Sequence, residues 1–112
     1  MSVASRKVGD VSVIDLRGSV DAAALRAIEP RLLALADRPG AKLAVDLRQV
    51  TSMDSSGLGM LLALTKRARA NDGNVVLFGV PSSVKTIFRV TGISRVIDTF
   101  DEEHEALGAL GS

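Results

Sequence analysis

The sequence predicts an α/β domain, with a mixed, mostly parallel sheet of four to five strands and about four helices. The order is β-β-α-β-α-β-α-β-α. Three observations carry that reading. After a first pair of extended runs, short Val/Leu/Ile segments alternate with longer ones whose apolar residues recur every three or four positions, the pattern of strands joined by helical crossovers. The core must be built from Leu, Val, Ile and Ala, because the chain has three Phe and no Trp or Tyr, and this suits a small parallel sheet covered by helices. Finally, 112 residues are enough for one core without staples, so residues 1–112 read as a single domain.

Val3 to Lys7 and Val11 to Arg17 read as strands joined at the Gly9-Asp10 turn pair. In the second, Val11, Val13, Asp15 and Arg17 alternate with Ser12, Ile14 and Leu16, which predicts one partly open face. Gly18-Ser19-Val20 is punctuation. Asp21 is placed to cap a helix from about Ala22, with Leu25, Ile28, Leu32 and Leu35 on one face. Pro30 interrupts that pattern and predicts a kink or a later start; Pro39-Gly40 predicts the end. Lys42 to Leu47 reads as a buried strand, Gln49 to Met53 as a loop, and Ser55 to Ala70 as the second helix, stopped by Asn71-Asp72-Gly73. Asn74 to Gly79 is a strand, and Pro81-Ser82-Ser83 opens a third helix with Val84, Ile87, Phe88 and Thr91 inward. Gly92 ends it. Arg95 to Ile97 predicts a last strand, and Asp101-Glu102-Glu103 lead into a helix from His104 to Leu110.

Composition excludes several functions. Net charge is +1 with both signs interspersed, so no nucleic-acid footprint is visible and few aromatics exist to stack bases. Without cysteine there is neither a disulfide framework nor a thiolate metal site. No apolar run approaches the roughly 20 residues of a membrane span, and no signal-peptide core begins the chain; a cytoplasmic protein with no membrane association is the expectation. His104, the single histidine, lies among acids, and no nucleophile elbow or phosphate loop can be assembled. Asp15, Asp21, Asp46 and Asp54 make a weak case for a hard cation beside the commoner reading of solvated loop acids. The chain reads as a protein with no catalytic activity, no cofactor and no metal.

The most informative stretch is Met53-Asp54-Ser55-Ser56-Gly57-Leu58-Gly59, between a strand and the second helix. Asp or Ser there is first of all an N-cap, since the opening N–H groups of a helix lack intrahelical acceptors. Asp54-Ser55-Ser56-Gly57-Leu58-Gly59, set after Val45-Asp46-Leu47 and before Asn74-Val75-Val76-Leu77, closely resembles the STAS domain of bacterial anti-sigma factor antagonists. Gly18-x-x-Asp21 matches the family's first loop and Thr91-Gly92-Ile93 its third-helix end, so the likeness spans nearly the whole chain. Ala22-Ala23-Ala24 depart from it, where the family often has Thr or Ser. The resemblance implies that the unmodified chain binds an anti-sigma factor that is also a serine kinase, and so frees the sigma factor. It further implies that the kinase phosphorylates Ser55 and that a serine phosphatase restores it. Asp54 would orient the serine or reject wrong partners, and Asp21 would share its rim. ATP and magnesium would belong to the kinase.

Helical spacing places Leu58, Leu61, Leu62, Thr65 and Ala68 on the core side of the second helix, and Gly59, Met60, Ala63 and Arg67 on the other. A second face of Gly, Met and Ala reads either as a crowded helix-helix contact or as a partner-docking surface that takes in Ser56 and Gly57. A phosphate on Ser55 would add about −1.5 to −2 charges where the helix dipole favours them by roughly 0.3–1 kcal/mol. The fold should therefore tolerate it, while docking should not. The alternative function is a STAS interaction or scaffold module, never phosphorylated, in a larger signalling or transport assembly. A monomer or weak homodimer is expected, the first strand offering an open edge.

Overall fold

The structure is a computed structural model and describes residues 1–111. Its elements follow the predicted order: β1 (Ser2–Val8), β2 (Val11–Val20), α1 (Ala22–Ala36), β3 (Lys42–Met53), α2 (Ser55–Ala70), β4 (Asn74–Phe78), α3 (Ser82–Thr91), a 3-10 turn (Ile93–Arg95), β5 (Thr99–Phe100) and α4 (Glu103–Ala109). The five strands lie in the order β1-β2-β3-β4-β5. β1 and β2 form an antiparallel hairpin about Val8↔Val11, and every later pairing is parallel.

The core is divided by the sheet. The larger part lies under α1, α2 and α3 and contains Ile14, Leu16, Leu43, Val45, Leu47, Leu61, Leu64 and Phe88. On the other side α4 brings Ala106 and Leu110 onto Val11, Val13, Ala44, Val76 and Phe78. The expected open face of β2 is therefore closed along its first half, because α4 folds back over Val11 and Val13. No helix among the described residues is long and apolar enough to cross a membrane.

Three expected breaks are absent. Gly18-Ser19-Val20 and Gln49 to Met53 are strand, not punctuation and loop, and they pair with each other through Gly18↔Val50, Ser19↔Ser52 and Val20↔Met53. Two register shifts lie in this stretch, between Asp15 and Arg17 and between Gly18 and Ser19. As a result Leu47, Val50 and Met53, three residues apart, all face the main core. A spacing of three hides a strand from a search for period two. Pro30 does not divide α1, which runs through it and stops at Ala36, ahead of Pro39-Gly40. Pro30 and Arg26, whose carbonyl it leaves without an N–H, are both exposed, so water can satisfy that group.

A fourth difference is at the C-terminal edge. The stretch from Arg95 to Ile97 is not a strand: the 3-10 turn ends at Arg95, Ile97 drops into the core, and β5 follows at Thr99–Phe100. Gly92, at φ 77°, ends α3 in the left-handed conformation a glycine accepts readily. The β3–β4 pairing stops at Asp46↔Phe78. Beyond it β1 accompanies β2 only as far as Ser2↔Arg17, and from Gly18 and Val50 onward β2 and β3 form a two-stranded extension whose tip starts both α1 and α2.

One buried acid needs a partner here. Asp46 is 5% exposed and receives the Arg48 guanidinium from Nε at 3.0 Å and Nη2 at 2.8 Å, plus the Arg48 backbone N–H at 3.0 Å. The Arg48 guanidinium also lies over the Phe78 ring, 5.4 Å from its centre. Burial, the largest single influence on Asp46, favours its neutral form. The bonds from Arg48 and its charge together outweigh burial and hold the carboxyl below its ordinary value.

Candidate functional site

The site is built by two strand ends and the helices that leave them. Val20 and Met53 are paired neighbours on β2 and β3, so the residues that follow them, Asp21 and Asp54, lie on the same rim. Each caps the helix it precedes. Asp21 Oδ1 accepts from the Ala24 N–H at 2.9 Å, and Asp54 Oδ1 accepts from Ser56 N–H at 2.9 Å and Gly57 N–H at 3.2 Å. The Asp54 N–H in turn donates to the Val20 carbonyl at 3.2 Å, which ties the start of α2 to the end of β2. The carboxylate of Asp54 is thus committed to backbone donors of α2 and acts as a cap.

Ser55 is the first residue of α2 and is exposed. Because Asp54 supplies the cap, the serine side chain is not needed to hold the helix start. Ser56 is half-buried, and Gly57 is buried. A Cβ on Gly57 would stand 2.5 Å from Met53 Cγ, 3.0 Å from Val20 Cγ1 and 3.1 Å from the Val20 carbonyl oxygen. A side chain there would have to displace Met53 and crowd Val20, so glycine lets α2 press its first turn closest onto the strand ends. Gly59 is the opposite case: it is exposed, and a Cβ added there would meet nothing within 4 Å.

The predicted faces of α2 need correction. Met60 is 1% exposed and belongs to the main core, and Gly57 is likewise turned inward, so neither lies on the open face. Leu62, expected inside, is 40% exposed. The reason is that α2 packs on more than the sheet. Arg67, two turns beyond Met60 on the same side, pairs with Asp37 at the end of α1 at 3.0 Å. On the other flank Arg69 donates to the Val96 carbonyl at 2.7 Å. Burial therefore wraps toward α1 and takes Met60 with it. The open face runs from Ser55 through Gly59, Leu62 and half-buried Ala63 to Lys66, a stripe at helical spacing.

One contact on the rim has no counterpart among the expectations from sequence. Ser52 and Ser19, both exposed, share a hydrogen bond of 2.9 Å between hydroxyls just before the two caps. Their only signal was a pair of serines in segments that read as non-strand. Among the described residues, no group of three or more His, Asp or Glu side chains could hold a metal ion.

Comparison with known proteins gives a consistent picture. Residues 2–106 match the STAS domain family. The anti-sigma-B factor antagonist of Listeria monocytogenes is 32% identical over 104 residues, covering 91% of each chain. An anti-sigma factor antagonist from Mycobacterium paratuberculosis superposes with a TM-score of 0.87 at 23% identity, covering 99% of this chain and 94% of that one. The phosphorylated form of the Bacillus cell fate determinant SpoIIAA superposes with a TM-score of 0.73 at 22% identity, covering 96% and 98%. The extended β2–β3 tip, its two capping aspartates and the exposed serine after the second are thus features of a chain that belongs to the STAS domain family, among its anti-sigma factor antagonists.

Proposed function

We propose that this chain is a partner-switching regulator controlled at Ser55. Unmodified, it docks on an anti-sigma factor that is also a serine kinase, and so releases the sigma factor. Phosphorylation of Ser55 ends the docking, and a serine phosphatase restores it. The observation that carries this reading is that Ser55 is exposed at the first position of α2 while Asp54 alone satisfies the cap. A kinase can reach such a hydroxyl without unfolding anything. The docking surface comprises Asp21, Asp54, Ser55, Ser56, Gly59, Leu62 and Ala63. Relatives named as anti-sigma factor antagonists and the phosphorylated state of SpoIIAA agree with it.

The physics of the switch is local. A phosphate at the start of a helix meets a favourable dipole, worth roughly 0.3–1 kcal/mol, so the domain stays folded. In a contact it must instead lose its water without a counter-charge, and a cost of several kcal/mol is ordinary for such burial. Each 1.4 kcal/mol is about a tenfold loss of affinity. The test is intact-mass spectrometry after incubation with the partner kinase, magnesium and ATP. One phosphate should add to the native chain and to the Ser56→Ala variant, and none to Ser55→Ala. Phosphate on Ser55→Ala, or none on the native chain, would overturn the assignment, the second result favouring an unphosphorylated scaffold module.

A further inference from the structure

A pocket of about 350 Å³ opens between α3 and the last strand, away from the β2–β3 tip. Val80, Phe88 and Phe100 form its apolar part, and Lys85, Arg89, Ser94 and Asp101 supply its polar groups. Its size falls within the range of small-molecule sites. It lies where β4 and β5 end, Phe78 pairing with Phe100 and the Gly79 N–H bonding the Phe100 carbonyl at 2.9 Å.

Two observations, independent of each other, indicate what it takes. The first is aromatic. The chain has three Phe, and two of them line this one pocket: Phe88, which is 2% exposed, and Phe100, which is half-buried. The second is charge. Lys85 and Arg89 stand one turn apart on α3, a spacing at which like charges repel. The helix, Ser-Ser-Val-Lys-Thr-Ile-Phe-Arg-Val-Thr, contains no acid to offset them. Among the described residues neither cation forms an ion pair. Asp101 is the single carboxylate of the lining, suited to accept a hydrogen bond from a ligand donor.

We infer that the α3–β5 pocket binds a small organic anion, with an aryl or alkyl body against Phe100 and Val80 and an acidic head between Lys85 and Arg89. This site is separate from the Ser55 rim and does not depend on the function proposed for it. Phenyl phosphate is the probe, with benzyl alcohol as its uncharged counterpart, each titrated into the isotope-labelled chain while backbone amide shifts are followed. Phenyl phosphate should give saturable shifts confined to residues 80–89 and 94–101, and benzyl alcohol should bind at least tenfold more weakly. The double variant Lys85→Ala/Arg89→Ala, at two exposed positions, should weaken phenyl phosphate at least tenfold with its unfolding temperature near that of the native chain. Shifts that do not saturate or centre on other residues would overturn the inference. So would equal binding of the alcohol, or a double variant that binds unchanged.

Discussion

Two helices leave the same tip of the sheet side by side, each behind an aspartate, yet only one of those starts has the makings of a switch. At α1 the cap is followed by Ala22, Ala23 and Ala24, and at α2 by Ser55, Ser56 and Gly57. Both aspartates do the same structural work on backbone N–H groups. The difference lies in what comes next: a methyl at the first position of α1, a hydroxyl at the first position of α2. The cap is therefore architecture, and in the proposed switch the chemistry falls to the residue the cap sets free. Gly57 sharpens the contrast, because it seats α2 directly on the strand ends and fixes where that hydroxyl stands.

The largest expected effect separates the two starts by charge. Under the proposed function, Ser55→Asp should weaken binding to the anti-sigma kinase at least 100-fold, about 2.7 kcal/mol or more. Ala22→Asp, the same charge at the first position of α1, should cost less than tenfold. Calorimetric titration of both variants against the kinase checks this, and equal losses would mean that the rim responds to net charge and not to the serine position.

Next come the two glycines of α2. Gly57→Ala should destabilise the fold by about 1–3 kcal/mol, since its methyl meets Met53 and the Val20 carbonyl. Gly59→Ala, open to solvent, should stabilise it by about 0.5–1 kcal/mol through helix propensity. Urea unfolding of the pair measures both, and a neutral Gly57→Ala would show that α2 does not rest on the strand ends as described.

Removing the caps should give smaller, similar losses. Asp21→Ala and Asp54→Ala should each cost about 1 kcal/mol, with the larger loss at Asp54 because it receives two N–H groups instead of one. An effect of the same size as the caps, and one that vanishes in acid, is a control on β3 away from the rim. Asp46→Asn should cost about 1 kcal/mol at pH 7, since Arg48 is itself half exposed. Its carboxyl is held below the ordinary value, so its contribution is complete above about pH 4 and disappears as pH falls through the lowered value. The gap between Asp46→Asn and the native chain in urea unfolding should therefore close in acid. A gap independent of pH would mean that packing, not charge, holds Arg48 in place.

Much of this was legible in the residues. α2 begins and ends where its cap and its Asn-Asp-Gly stop placed it, and the alternation of strand and helix gave the parallel sheet. The Asp-Ser-Ser-Gly run marked the rim. The errors have physical causes. Gln49 to Met53 looked like a loop because its inward residues, Leu47, Val50 and Met53, are spaced by three across register shifts. Met60 looked exposed because a helical wheel assigns one buried side, whereas α2 is flanked by α1 as well as backed by the sheet. Arg95 to Ile97 looked like a strand because a short apolar run does not distinguish strand from turn.

What the sequence by itself determined are the features set within a few residues: the order of elements, the caps, the stops and the serine behind an aspartate. These follow from local hydrogen bonding and side-chain period, which neighbours along the chain impose. Only the tertiary structure decided that β2 and β3 run on together past the rest of the sheet, that Asp21 and Asp54 share a rim, and that Leu62 rather than Met60 faces outward. Those outcomes depend on which surfaces meet across long stretches of chain, and pairing register and helix flanking are set by partners that local spacing does not contain.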